Sequence, residues 1–386
     1  MMTYRVKNDN GTTVLGTVCA VVFCLFSLLY LVDYQSEVLM AMQHDLSKGA
    51  THYNTWVGGI LITFILFLIR LAMQAVFPLR GGLQAINYLP STLLLTMLTA
   101  YRPDMPTSTY IGLWAWLAPL LLAVYVYTAI VLGRLNLQTG RSMETDAFSS
   151  LEAWIASMLF CAQFLFCGLM SESNDVYHYR VRMERMMMQG RYTEALEVGK
   201  ESAQTDSNLT MLRASALAHE GQLGDRLFRY PVKGSSSSLL PLKNGSHCLF
   251  LNTDTIFRNL GAKPLEYMDF RTYVKAMQQS GRDTIPLGDY RLCALLIDRK
   301  LDAFVRLLPH YYEVDSLLPH HYREALILYT HLRAHPVIVY HDNVLDTDFN
   351  DFQELDRKYG QESERRLNLM KHYFGTYWWY YYNDRS

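Results

Sequence analysis

Charge is nearly missing from the stretch 1–170. Of the 35 Lys+Arg and 36 Asp+Glu in the 386-residue chain, 16 fall there and 55 in the stretch 171–386. An ordinary soluble domain is about one-quarter charged, so the first part is not one. The second part is long enough to bury a core of its own. Excess charge of either sign is also lacking: the formal net charge is -1, and nothing in it suggests a nucleic-acid partner or a polybasic membrane-surface protein. Phosphate-cradling and nucleophile motifs are absent, with no P-loop, GxGxxG or GxSxG, and hydrolase, nucleotidase and Rossmann readings go with them. The six cysteines form no CxxC or Cys/His zinc spacing. Cys19, Cys24, Cys161 and Cys167 sit in apolar runs as small hydrophobes. That leaves Cys248 and Cys293 to supply at most one disulfide, and only in an oxidising compartment. No metal or cofactor is implied.

The charge-poor part is filled by long apolar runs. A bilayer crossing takes about 20 mostly apolar residues, because every backbone polar group must be satisfied within the helix. Residues 14–32, 56–77, 112–132 and 151–170 each qualify. Arg5 and Lys7 precede the first run as they would a signal peptide, but the run is long and DYQSEVL follows it in place of a small-x-small cleavage site. It reads as a retained helix. Residues 83–100 carry Asn87 and Pro90 and are barely long enough; they read as a fifth span, with a re-entrant or interfacial segment as the alternative. Orientation follows from Lys and Arg in short loops. With five spans and the N-terminus inside, Arg5, Lys7, Arg80, Arg134 and Arg141 lie on the inner side against Lys48 and Arg102 outside. The C-terminal domain is then outside the cytoplasm. Arg180, Arg182 and Arg185, just after the last span, argue the other way, and losing the segment 83–100 reverses the result.

From Ser173 the pattern becomes helical. Met183, Met186 and Met187 fall on one face, Gly190 turns the chain, and Tyr192, Ala195, Leu196 and Gly199 line one face of the next helix. G-x-Y-x-E-A-L is the spelling of a tetratricopeptide turn, and the step from Gly190 to Gly221 falls just short of that repeat's period. Tyr322 to Leu326 repeats Y-x-E-A-L. Residues 231–248, rich in Ser, Gly and Pro, read as a flexible loop. Six consecutive aromatics, 377–382, cap the last helices or rest on a membrane or partner. The expected fold is all-α: a polytopic membrane domain over 1–171, then a soluble, tetratricopeptide-like helical domain over 172–386.

The stretch LPHHYREALILY, followed by HPVIVYHDNVLDTDFNDFQEL, resembles a family of uncharacterised multi-pass membrane proteins of the Bacteroidetes, classed as a domain of unknown function. The likeness is clearest over 318–355, and many members are longer than this chain. It implies a bacterial inner-membrane setting and carries no activity, substrate or catalytic residue.

Candidate residues are few. Arg70 is an ionisable group inside a run, where insertion costs at least about 2.5 kcal/mol and function is the default; the plainer account is that it snorkels from near the end of its helix. Gln163 suits a hydrogen bond between helices. Asp33, Glu37, Asp45, His44 and His52 share the first loop, where Asp33 and Asp45 are the candidate base or metal ligand of a transferase. His320 and Glu324 share a helix face without a third ligand. Tyr192 and Tyr322 are candidates for a binding surface. The leading expectation is a membrane anchor in the lipid bilayer presenting a helical-repeat domain to a protein partner, with no nucleic acid involved. The alternative is a membrane-bound transferase acting on a lipid-linked or envelope glycan substrate. A transporter is disfavoured by the single buried charge and the absence of an inverted repeat.

Overall fold

The computed structural model describes residues 10–102, 107–138, 150–264, 268–315 and 317–383, and every regular element among them is helical. Arg5, Lys7 and Arg141, part of the orientation argument, lie outside the described residues. The chain divides into two compact units, Met1–Asn174 and Asp175–Ser386.

In the first unit α1 (Asn10–Leu29) opens into a wide turn, Tyr30–Tyr34, and a surface helix α2 (Ser36–Ser47) follows. Next come α3 (Thr55–Val76), a 3₁₀ stretch Gly81–Tyr88 that runs into α4 (Leu89–Thr99), α5 (Thr107–Gln138) and α6 (Ser150–Met170). Four lengths are long and apolar enough to cross a membrane: Val14–Tyr34, Thr55–Val76, Gly112–Arg134 and Leu151–Met170. Their outer faces expose Val21, Leu25, Ile60, Phe64, Leu120 and Leu165, a surface suited to lipid tails and costly in water.

Segment 83–100 is not a single helix. Its polar residues Gln84, Asn87, Ser91, Thr92, Thr96 and Thr99 are all buried, because the segment lies among α1, α3, α5 and α6. Asn87 Nδ2 donates to Gln74 Oε1 at 2.7 Å and to the Phe77 carbonyl at 2.8 Å. Thr92 Oγ1 donates to Gln163 Oε1 at 2.9 Å, and Gln163 Nε2 donates to the Ala85 carbonyl at 2.9 Å. The low hydropathy of this stretch reflects polar groups, Asn87, Thr92 and Thr99 among them, that neighbouring helices satisfy. It also keeps company with α6 from end to end: Gly82 packs on Glu152, the Tyr88 ring on Phe160 and Thr99 on Ser171.

In the second unit one helix stop recurs. α7 (Asp175–Met188), α9 (Ser207–His219), α12 (Phe270–Gln279) and α13 (Ile285–Ile297) end at Gly190, Gly221, Gly281 and Arg299, all with positive φ between 56° and 72°. The following N–H reaches back each time: Arg191 to the Met186 carbonyl (2.9 Å), Gln222 to Leu217 (2.8 Å), Arg282 to Met277 (3.0 Å) and Lys300 to Leu295 (2.8 Å). That is the hydrogen bond of a left-handed C-cap. Short helices follow three of the stops: α8 (Tyr192–Glu197), α10 (Leu223–Arg226) and α14 (Leu301–Leu307). Each of these hairpins pairs a longer helix with one of only four to seven residues. Tyr322 lies outside the scheme, since α15 (His320–Leu332) starts behind Pro319 with no such stop before it. After the short α11 (Thr253–Phe257) and the helices named above, the unit closes with α16 (Asn343–Lys358), α17 (Glu362–Tyr373) and α18 (Tyr377–Asn383).

The stretch 231–248, expected to be a flexible loop, is packed instead. Val232, Leu239, Leu240 and Leu242 are buried in the core. Its serines satisfy backbone: Ser246 Oγ lies 2.8 Å from the carbonyls of Ser207 and Ser238, and Ser236 donates both N–H and Oγ–H to Asp298. The aromatic run forms α18, with Tyr377 to Tyr380 buried. Tyr377 and Tyr380 donate their hydroxyls to the carbonyls of Leu296 and Ile297 at the end of α13 (3.1 and 2.9 Å), so the run caps the last helices.

Candidate functional site

The first-loop carboxylates do not converge. Asp33 is exposed in the wide turn, whereas Asp45 is exposed in the last turn of α2 and accepts a hydrogen bond from Tyr101. About 14 Å of helix separates them at about 1.5 Å per residue. Glu37 is buried, at 4 % exposure, with Ser36 donating to it at 3.2 Å. What gathers at this end of the bundle is a pair absent from the sequence argument. Arg102 Nε lies 2.8 Å from Glu172 Oε2, and Gln35 Nε2 donates to the Glu172 carbonyl at 2.9 Å. Tyr30 and Thr99 both donate to Ser171 Oγ, at 2.6 and 3.1 Å. Partners so far apart in sequence leave no local signal. Arg70 does not snorkel: it is 8 % exposed and stands 5.0 Å over the Tyr88 ring.

In the second unit the two tyrosines differ. Tyr192 is half-buried and stacks on His219 at 4.1 Å. Tyr322 is buried and donates to Asp289 Oδ1 at 2.9 Å, beside Tyr312, whose hydroxyl reaches the same oxygen at 2.7 Å. Burial pushes the Asp289 carboxyl up, partly opposed by those hydroxyls. Cys293 is enclosed, and both it and Cys248 are free thiols.

His320 and Glu324 do meet, at 3.2 Å, within a larger constellation. Glu324 is 1 % exposed; it also takes His321 Nδ1 at 2.8 Å and the Tyr377 N–H at 2.7 Å. Burial alone would raise its pKa, but His321 and His320 outweigh it and hold the carboxylate down at about 2. Among the described residues no three His, Cys, Asp or Glu side chains are grouped as a metal ion would need. Instead Glu324 and His320 stand at one side of a groove of about 760 Å³. Asp348, Asp351 and Glu354 of α16 line it together with His372, Tyr373 and Trp378. α16 buries Leu345, Phe349 and Phe352, which turns the carboxylates at i, i+3 and i+6 along the adjacent exposed face. Lys358 is the one lysine or arginine among the described residues that lines the groove. The signal was present in the sequence as D-x-x-D-x-x-E; only the fold shows that a groove runs beside it.

The fold and this site define an all-helical protein with four helices long and apolar enough to cross a bilayer, and a second helical unit bearing an acidic groove. The chain belongs to a family of unknown function, DUF6057, which matches residues 1–264 and 269–384. No curated protein and no solved structure matches it.

Proposed function

We propose that this chain is a polytopic bacterial inner-membrane protein whose C-terminal unit docks a protein partner through the groove beside α16, the partner presenting a basic segment. The groove carries the reading: three exposed carboxylates in a row make a surface that attracts Lys and Arg. The half-buried Tyr373 ring adds apolar contact and a site for guanidinium stacking. The bacterial setting rests on the family resemblance and the tetratricopeptide likeness on the recurring turn. Five crossings are proposed because the segment 81–99 accompanies α6 along its length. With the N-terminus inside, the groove then faces the periplasm. A transferase built on Asp33 and Asp45 gains no support, since the length of α2 separates them.

The test is binding of a fluorescent Lys/Arg-rich peptide, long enough to span the groove, to the full-length protein, read by anisotropy. The charge-reversal variant Asp348→Lys/Asp351→Lys/Glu354→Lys is expected to lose at least about tenfold in affinity, and added salt to weaken the wild type. Asp302→Lys, on α14, is the control that leaves binding intact. Equal binding by wild type and the triple variant rejects the groove.

A further inference from the structure

Arg70 lies on the buried stripe of α3 with Gly59, Thr63 and Leu66. It stands about 9 Å along the axis from the last residue of that helix, and its side chain turns into the bundle. A guanidinium offers five N–H donors and no acceptor. Here the Nε is fully enclosed without an acceptor, and no carboxylate pairs with the guanidinium among the described residues. Tyr88 is its close neighbour, with the ring centroid 5.0 Å away and the hydroxyl beside the guanidinium, and a ring face compensates a buried charge only in part. Other donors nearby are in the same condition. Tyr88 Oη, beside the guanidinium, and Gln84 Nε2, one turn earlier on the same segment, are enclosed and donate to no acceptor. So are Ser27 Oγ and Thr63 Oγ1 on the α1 and α3 faces that pack together.

A cation and several N–H and O–H groups, facing no carboxylate, repel another cation and leave hydrogen bonds for an anion to accept. We propose that Arg70, with Tyr88 and Gln84, binds an oxyanion of the phosphate type inside the helical bundle. Two sources share that chemistry, a free phosphate and an anionic phospholipid headgroup. The second has a place for its chain: an apolar groove of about 640 Å³ between α1 and α6, lined by Val18, Cys19, Val22, Ala156 and Phe160. Phe160 of that lining stands 5.0 Å from Tyr88, the ring that the Arg70 guanidinium covers.

The experiment uses the full-length protein in nanodiscs. In phosphatidylcholine alone, radiolabelled phosphate at fixed ionic strength is expected to bind saturably, and Arg70→Met to weaken it by about 10- to 100-fold. Arg70→Lys, which keeps the charge and loses the fork, should fall between. If the headgroup is the ligand, free phosphate does not bind. Adding phosphatidylglycerol then raises the unfolding temperature of the wild type and leaves Arg70→Met unchanged. Removing an uncompensated charge leaves the Met variant folded; should it fail to fold, the wild type and the Lys variant still decide. A wild type indifferent to both phosphate and phosphatidylglycerol overturns the proposal, as does an Arg70→Met protein that responds like the wild type.

Discussion

Glu324 and Glu184 are both enclosed glutamates, and their surroundings shift them in opposite directions. Glu324 has imidazoles at 2.8 and 3.2 Å and is held at about 2, below an ordinary glutamate's 4.5. A depressed carboxylate contributes stability that is complete above the unfolded pKa and is lost as pH falls through the folded one. The acid limb of unfolding attributable to Glu324 therefore runs from about pH 4.5 down to 2. Glu324→Gln should remove that limb and cost about 3 kcal/mol at pH 7, because it breaks a buried pair from one side. Hydrogen exchange in α18, whose Tyr377 N–H it holds, reads the loss; unchanged exchange and an unchanged acid limb would refute the assignment. Glu184 accepts backbone N–H groups from Leu249 at 2.9 Å, Phe250 at 2.9 Å and Leu251 at 2.8 Å. Burial pushes its pKa up, the amides oppose this, and the balance stays above the ordinary value. Its stabilising share is thus largest at low pH and declines as pH rises through the folded pKa. A glutamine there turns an NH₂ toward amide donors, so Glu184→Gln should speed exchange of amides 249–251 by about 10- to 100-fold. Neither role is legible locally. His320 and Glu324 are visibly four apart on a helix, but Tyr377 lies far down the chain at the start of α18. The amides that Glu184 holds belong to the stretch after the serine-rich loop, well beyond the reach of any helical or turn pattern.

At the scale of elements, the same stop is written with glycine three times and with arginine once. Gly190 and Gly221 can be read from the sequence because glycine tolerates positive φ without penalty. Arg299 cannot, since nothing local marks an arginine for φ +56°. Its side chain supplies the reason. Nε and Nη2 donate to the carbonyls of Tyr381 and Tyr380 at 3.2 and 3.1 Å, and the guanidinium lies 4.9 Å over the Tyr380 ring. The left-handed turn aims arginine at α18. Two substitutions separate turn from anchor. Gly221→Ala places a Cβ in open space, with no atom within 4 Å, so its cost is the backbone term alone, about 1 kcal/mol. Arg299→Gly relieves that same term but releases α18, and amides of 377–383 should exchange faster while those of α13 stay protected. Equal protection of α18 in Arg299→Gly and wild type would remove the anchoring role. The loop 231–248 eludes sequence reading for a related reason: Ser, Gly and Pro look alike whether the hydroxyls face water or, as Ser246 does, buried carbonyls.

The whole molecule turns on one stretch. Hydropathy finds four apolar lengths without help, because their outer faces need only be greasy. It wavers at 83–100, because Asn87, Thr92 and Thr99 are polar groups whose partners, Gln74, Gln163 and Ser171, come from other helices. Pairing with both ends of α6 gives the segment the same travel as α6. α3 runs against it, since Ser91 donates to the Leu66 carbonyl while Asn87 meets Gln74. Alternating directions through α1, α3, the segment 81–99, α5 and α6 bring the α2 loop and the end of α6 to one face of the bundle. The Gln35–Glu172 hydrogen bond joins them there. On the five crossings proposed, residues in the α2 loop and in the C-terminal unit are expected to label from one side of the membrane, whichever side that is. Native thiols are poor reporters, because Cys293 is enclosed and burial pushes the Cys248 thiol far up. Exposed positions serve better: Ala50→Cys and Gln279→Cys, each in a background without native cysteines. An impermeant maleimide should reach both in intact spheroplasts if the N-terminus is inside. Both labelling only after permeabilisation would keep five crossings and reverse the orientation. One labelled from each side would mean four crossings, and 81–99 would then enter and leave by the same face despite following α6 from end to end.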